Sequence, residues 1–308
     1  MKNIFKKIII ASSLLGLVFF YGCSEDDVLP IDVVVPNIDI SLSATTSDGT
    51  TLVDGGNVSA ADSFSIVISI TAEAGFNTLN TSGDVASSTI NRNDLDIASG
   101  TTNAEVTLTV STSNSLGDGS IDFEAVDEEG NTANASFSFV VVSPAAKIQT
   151  AVMLYAPLGD SSSQTFYSIA NNQTYSLGNV ISTSDPVSAS IDFGYYYGSS
   201  DNAALASPAE YTIYDLSAWG SQNATTLAVT TITSAEYLEM VSVSDIETAL
   251  AGVDVTDANG TITNLSANDI LMFKTVDNVQ GLIHVSTITG TDGSDGMIEL
   301  EMKLAASE

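Results

Sequence analysis

From Asn37 onward the chain falls into short runs that place an apolar residue at every second position, separated by clusters of Gly, Asn and Asp. IDISLSA (38–44), SFSIVISITA (63–72), AEVTLTV (104–110), SIDFEAVD (120–127) and ASFSFVVV (135–142) all follow this rule. A period of two sends alternate side chains to opposite faces of an extended strand, so each run predicts a half-buried strand. Such runs in series suit one β-sandwich over residues 37–144. Between the last two, Glu128, Glu129, Gly130 and Asn131 predict a tight turn, because Gly and Asn tolerate positive φ.

Alternation stops at Ser143-Pro144-Ala145, which sets a boundary and predicts a second domain over 145–308. That domain opens with AVMLYA (151–156) and closes with GLIHVSTITG (281–290) and GMIELEMKL (296–304), joined through TDGSDG (291–296) as a hairpin. One segment departs from the strand pattern. Ser244-Asp-Ile-Glu247 reads as a capping box and Gly252 falls where a helix would end, so one short helix is expected near 245–251. The expectation is an all-β protein of two tandem sandwiches, the second larger and carrying one short helix.

Residues 1–22 obey a different logic. A basic start (MKNIFKK) precedes an apolar run (IIIASSLLGLVFF) too short for a span of about 20 residues. Cys23, the sole cysteine, follows directly after Gly22. No intramolecular disulfide can therefore form. This junction resembles the lipobox of bacterial lipoproteins, which implies cleavage before Cys23, acylation of its sulfur and a lipid anchor. Phe20 and Tyr21 depart from that family's usual aliphatic and small residues, and an ordinary cleaved signal with an incidental cysteine is the alternative. Ser24, Glu25, Asp26 and Asp27 open an acidic tether over 23–36. They resemble the surface-export signal of Bacteroidota lipoproteins, which implies the outer membrane and its exterior face.

Two further resemblances concern the folded parts. The segment VDEEGNTANASFSFVV (126–141) is similar to the final hairpin of bacterial Ig-like domains, which implies a spacer. TFYSIANNQTYSL (165–177), SIDFGYYYG (190–198), ALASPAEYTIYDL (204–216) and WGSQNATTL (219–227) resemble C-terminal domains of uncharacterised Bacteroidota lipoproteins. That likeness implies surface binding of polysaccharide or protein.

Charge narrows the partners. All 38 acidic residues lie after Cys23, against only four basic ones (Arg92, Lys147, Lys274, Lys303), a formal charge of −34 beyond the signal. Nucleic acid binding requires clustered Lys and Arg, so DNA and RNA are excluded. Anionic headgroups are likewise repelled, so membrane attachment has to be covalent or apolar.

Candidate chemistry is sparse. His284 is the only histidine and lies within a predicted strand, so neither a nucleophile–base pair nor a zinc site is expected. With so many carboxylates some pairs must be close, but none sits in a recognisable glycosidase motif. No cofactor is required. Asp254, Asp257 and Asn259, Asp292 and Asp295, and Asp127, Glu128 and Asn131 lie in loops that suit either a structural Ca2+ or plain turns. Aromatic residues crowd between Phe193 and Trp219. In a strand Tyr195 and Tyr197 share one face and Tyr196 takes the other, so one set points away from the core unless both faces are covered. Tyr197, Tyr214 and Trp219, with Asp201 and Asn202 as polar partners, form the candidate platform for a sugar ring. The expectation is a non-catalytic surface lipoprotein that binds glycan through its second domain. The alternatives are a structural or adhesive protein that docks another protein, and then a glycan-active enzyme.

Metabolic labelling with palmitate is expected to mark the wild-type chain and to leave a Cys23→Ser form unlabelled. Equal labelling of both would remove the anchor.

Overall fold

The computed structural model describes residues 37–181, 187–254, 258–291 and 295–306; the signal segment, Cys23, the tether, Asp257 and Asp292 lie outside these. The protein is all-β and sandwich-like. Residues 38–142 supply two sheets. The strands are β1 (Ile38–Thr46), β2 (Thr51–Leu52), β3 (Gly56–Ser59), β4 (Ser63–Ala72), β5 (Phe76–Gly83), β6 (Ser88–Asn91), β7 (Asn103–Ser111), β8 (Gly117–Asp127) and β9 (Thr132–Val142). One sheet runs β2-β1-β4-β7 and the other β3-β9-β8-β5-β6. Alternation explains their packing: Phe64, Ile66, Ile68 and Ile70 of β4 all point inward, against Ile121, Phe123, Phe137 and Phe139 of the facing sheet.

Strand β5 lacks a legible period because its pairing with β8 slips between Phe76 and Thr78, which brings Phe76 and Leu79 to one face. β2, β3 and β6 are too short to show a period at all.

The predicted turn after β8 is present, with Gly130 at φ +89° while Asn131 keeps a negative φ. Its organiser is Asp127, fully buried. Its carboxylate accepts the N–H of Glu129 at 2.9 Å and, from Asn131, the N–H at 2.8 Å and the side-chain amide at 2.7 Å. Burial by itself would raise the Asp127 pKa, but these donors outweigh it and hold the group below the ordinary carboxylate range.

Residues 147–304 form two further sheets. Their strands are β10 (Lys147–Tyr155), β11 (Gln164–Ser168), β12 (Gln173–Ser176), β13 (Phe193–Gly198), β14 (Asn202–Ala206), β15 (Thr226–Val229), β16 (Thr261–Ile262), β17 (Ile270–Lys274), β18 (Gln280–Thr289) and β19 (Met297–Leu304). The orders are β10-β19-β18-β17-β15 and β12-β11-β13-β14-β16, and β18 and β19 make the expected hairpin. Between the sheets lies a core of Leu154, Tyr167, Phe193, Tyr195, Leu205, Phe273, Ile283 and Leu300.

Among the described residues three short α-helices stand where one was expected: α1 (Leu177–Ile181), α2 (Ser234–Glu239) and α3 (Val243–Ala251). α3 starts earlier than the Ser244–Glu247 box implied, because the box is built instead by Ser242 and Asp245. The reason is tertiary. The segment after the first sandwich runs alongside, so that Pro144 O accepts the Val243 N–H at 2.9 Å and Ser143 Oγ accepts the Ser244 N–H at 3.0 Å. Those contacts satisfy the first orphan donors of the helix. α2 has its own box from Thr233 and Glu236. Both helices press Tyr237 and Ile246 onto Ile270, Met272 and Leu282 on the outer face of the β10–β15 sheet. Buried Lys303 secures α2, its Nζ donating to the carbonyls of Tyr237 and Met240 at 2.8 Å each.

Asp127→Ala should lower the stability of the first sandwich by about 1–3 kcal/mol in urea unfolding at pH 7, since three donors lose their acceptor. The depressed folded pKa makes this contribution present above the unfolded pKa and lost as pH falls through the folded one. The gap between wild type and variant should therefore close in acid, and a gap that stayed constant would contradict the assignment.

Candidate functional site

The aromatic block is the natural place to begin, and its geometry follows from FGYYYG. In β13, Phe193 and Tyr195 point into the core between the sheets, and half-buried Tyr197 packs on that same core. Tyr196 points the opposite way, where residues 207–225 fold back over the sheet. Phe166 of β11 packs there against Trp219 at 4.9 Å between ring centroids, edge to face, and against Tyr211 at 5.0 Å. Gly194 makes this possible: a Cβ there would sit 2.7 Å from the Phe166 ring and 2.9 Å from that of Tyr211. Tyr211 donates from its hydroxyl to Tyr195 O at 2.9 Å, which ties the covering segment to the strand beneath it.

Both faces of β13 are therefore covered, and the expected platform is not assembled. Trp219 is only 8% exposed. Tyr214 is half-buried, stacked near Tyr211 at 6.4 Å, with its hydroxyl donating to Leu158 O at 2.6 Å. Tyr197 lies on the other side of the sheet from both. Asp201 accepts the Tyr196 hydroxyl at 3.2 Å, and burial followed by the Asp201 charge pushes the Tyr196 pKa up to about 12. Asn202, at φ +52°, donates its amide to Asn264 Oδ1 at 2.6 Å. Asp201 ends the β13–β14 turn and Asn202 begins β14, beside the covered rings.

Of the calcium candidates within the described residues, Asp254 is exposed just beyond α3, and Asp295 accepts the Thr291 N–H at 3.2 Å inside the β18–β19 turn. Asn259 accepts the Thr261 N–H at 2.7 Å. Glu128 accepts from Arg92 at 2.8 Å, Ser99 at 2.9 Å and the Gly100 N–H at 3.0 Å. Among the described residues no three His, Cys, Asp or Glu side chains converge on a common point.

His284 is half-buried at the edge of α2. Its Nε2 lies 3.4 Å from Ser234 Oγ, its ring 5.3 Å from that of Tyr237, and its register partner is Glu301. Burial lowers its pKa. Since Ser234 Oγ also donates to Asn268 O at 3.1 Å, this group serves the docking of α2 onto the sheet.

Two concavities were not legible in the sequence. A small one of about 210 Å3 is bounded by Asp192, Ser190, Thr275 and Asp277. Asp192 accepts the Ile169 N–H at 2.7 Å, and burial, with the Asp277 charge adding to it, pushes its pKa up to about 6. A larger, open groove of about 460 Å3 runs along the edge strand β10 beside the β11–β12 hairpin. Its wall carries Thr150, Met153, Tyr155, Gln164, Asn172 and Gln173, and no residue lining it is charged. Met153 and Tyr155 are 37% and 41% exposed on the face of β10 that points away from the core. The alternation of AVMLYA held a hint of this, since its second apolar set has no core to enter.

Trp219 is the single tryptophan, so intrinsic fluorescence reports on it alone. The native emission should be that of a buried indole, poorly quenched by iodide until the chain unfolds. Strong quenching of the native protein would place the ring on the surface.

No family model matches this sequence, and no curated protein does. Among solved structures the chain is similar to a DUF4466 family protein from Parabacteroides merdae, at 9% identity and a TM-score of 0.38, over 86% of this chain and 98% of that one.

Proposed function

We propose that this protein is a non-catalytic lipoprotein of the Bacteroidota type, anchored in the outer membrane through Cys23 and displayed outward. In this reading the first sandwich is an Ig-like spacer, and the second binds a neutral glycan. The observation that carries the binding role is the β10 groove, which is free of charge in a chain with 38 acidic residues. Sugar hydroxyls exchange hydrogen bonds with side-chain amides and hydroxyls, and the apolar face of a pyranose stacks on an exposed ring. Tyr155, three carboxamides and Thr150 supply both kinds of contact.

Docking of another protein is the second reading. It is favoured by Leu238 and Val241, 62% and 67% exposed at the C-terminal end of α2.

The mature chain, run in native gels cast with a panel of neutral and anionic polysaccharides, should be retarded by at least one neutral polymer. Anionic polymers should leave its mobility unchanged, as like charges repel. Passage through every neutral gel without retardation would put protein docking ahead.

A further inference from the structure

We propose that Asn172 is the hydrogen-bonding reader of the β10 groove, that buried Tyr167 holds it in place, and that Tyr155 is the ring on which a neutral sugar stacks. The proposal rests on the glycan-binding reading and names its site.

The side chains at the groove differ in how firmly they are held. Asn172 sits at the tip of the β11–β12 hairpin with φ +48°, a backbone state Asn tolerates better than most residues. Its amide meets the hydroxyl of Tyr167 at 2.6 Å, and Tyr167 is 1% exposed. The same hydroxyl lies 3.0 Å from Gln149 Oε1, while the Gln149 amide donates to Ile169 O at 2.7 Å. Gln149 therefore presents an oxygen to Tyr167. A hydroxyl has one proton, and the shorter contact marks where it goes, to Asn172 Oδ1. The NH2 of Asn172 is then left to the groove as a fixed donor. Gln173 adds a second donor, because its Oε1 accepts the Tyr175 hydroxyl at 3.1 Å and its NH2 remains to donate.

Two amide donors side by side, next to an exposed ring and with no charge, match the lone pairs that sugar hydroxyl and ring oxygens present. A peptide adding as a strand is a poorer occupant. It would need a regular open edge, and β10 is bulged between Gln149 and Val152, with Ala151 at φ +54°.

The test uses the mature chain and whichever neutral polysaccharide retards it most, with Tyr155→Ala, Asn172→Gly and Tyr167→Phe. Glycine suits the positive φ at 172, and phenylalanine keeps the ring at 167, so thermal midpoints should show all three folded. Each is expected to weaken binding roughly tenfold. Adding Tyr167→Phe to Asn172→Gly should cost nothing further, since Tyr167 acts through Asn172; a merely structural tyrosine would give additive losses. Wild-type affinity in folded Tyr155→Ala and Asn172→Gly would overturn the site and leave the glycan reading standing. Additive losses would overturn the role of Tyr167, and a wild type that binds no glycan would overturn both the site and the reading on which it rests.

Discussion

A strand that is apolar on both faces has to be covered on both faces, and the second domain is organised around meeting that requirement at β13. Phe193 and Tyr195 close one side against the partner sheet, and the segment carrying Tyr211, Leu216 and Trp219 closes the other. The sheet is thus sandwiched between a sheet and a layer of irregular chain, an arrangement that needs a residue without a side chain where rings cross the backbone. Gly194 is that residue. The opposite sheet meets the same demand with α2 and α3, and the carbonyl end of α2 is gathered by the ammonium of Lys303. Burial depresses the Lys303 pKa, and the carbonyl dipoles supply the partner that a buried charge requires.

Once both sheets are roofed, aromatic abundance stops being a sign of a binding surface. The rings are packing material. One place that remains open is where roofing ends, along the edge strand β10, and there the chain presents amides, hydroxyls and one exposed tyrosine. Its many carboxylates are elsewhere, several of them occupied as hydrogen-bond acceptors: Asp127 in a hairpin turn, Glu236 and Asp245 in capping boxes. An acidic surface with a neutral groove favours uncharged partners over charged ones, and this asymmetry is the physical basis for the glycan reading.

The order of parts along the chain gives that reading its spatial logic. A lipid at Cys23, a tether, a spacer and then a binding domain would hold the groove away from the membrane. The segment after the first sandwich is used as a structural part of the second domain: Pro144 and Ser143 begin α3, and Ala145 bridges Ser242.

The sequence by itself determined the strands whose side chains alternate strictly, such as β4 and β19, because period two is a property of the extended backbone and needs no partner to be read. It also determined the closing hairpin, the turn at Gly130 and the end of α3 at Gly252, since those depend on local dihedral freedom and local hydrogen bonds. β5 escaped because a bulge breaks the period, and the true cap of α3 escaped because a segment 100 residues earlier supplies its donors' partners. Which face of β13 was free could only be decided in three dimensions: alternation states that two faces exist, but coverage depends on residues far along the chain. The same holds for the groove, whose strand and hairpin are ordinary pieces of sequence that become a site only where two sheet edges meet.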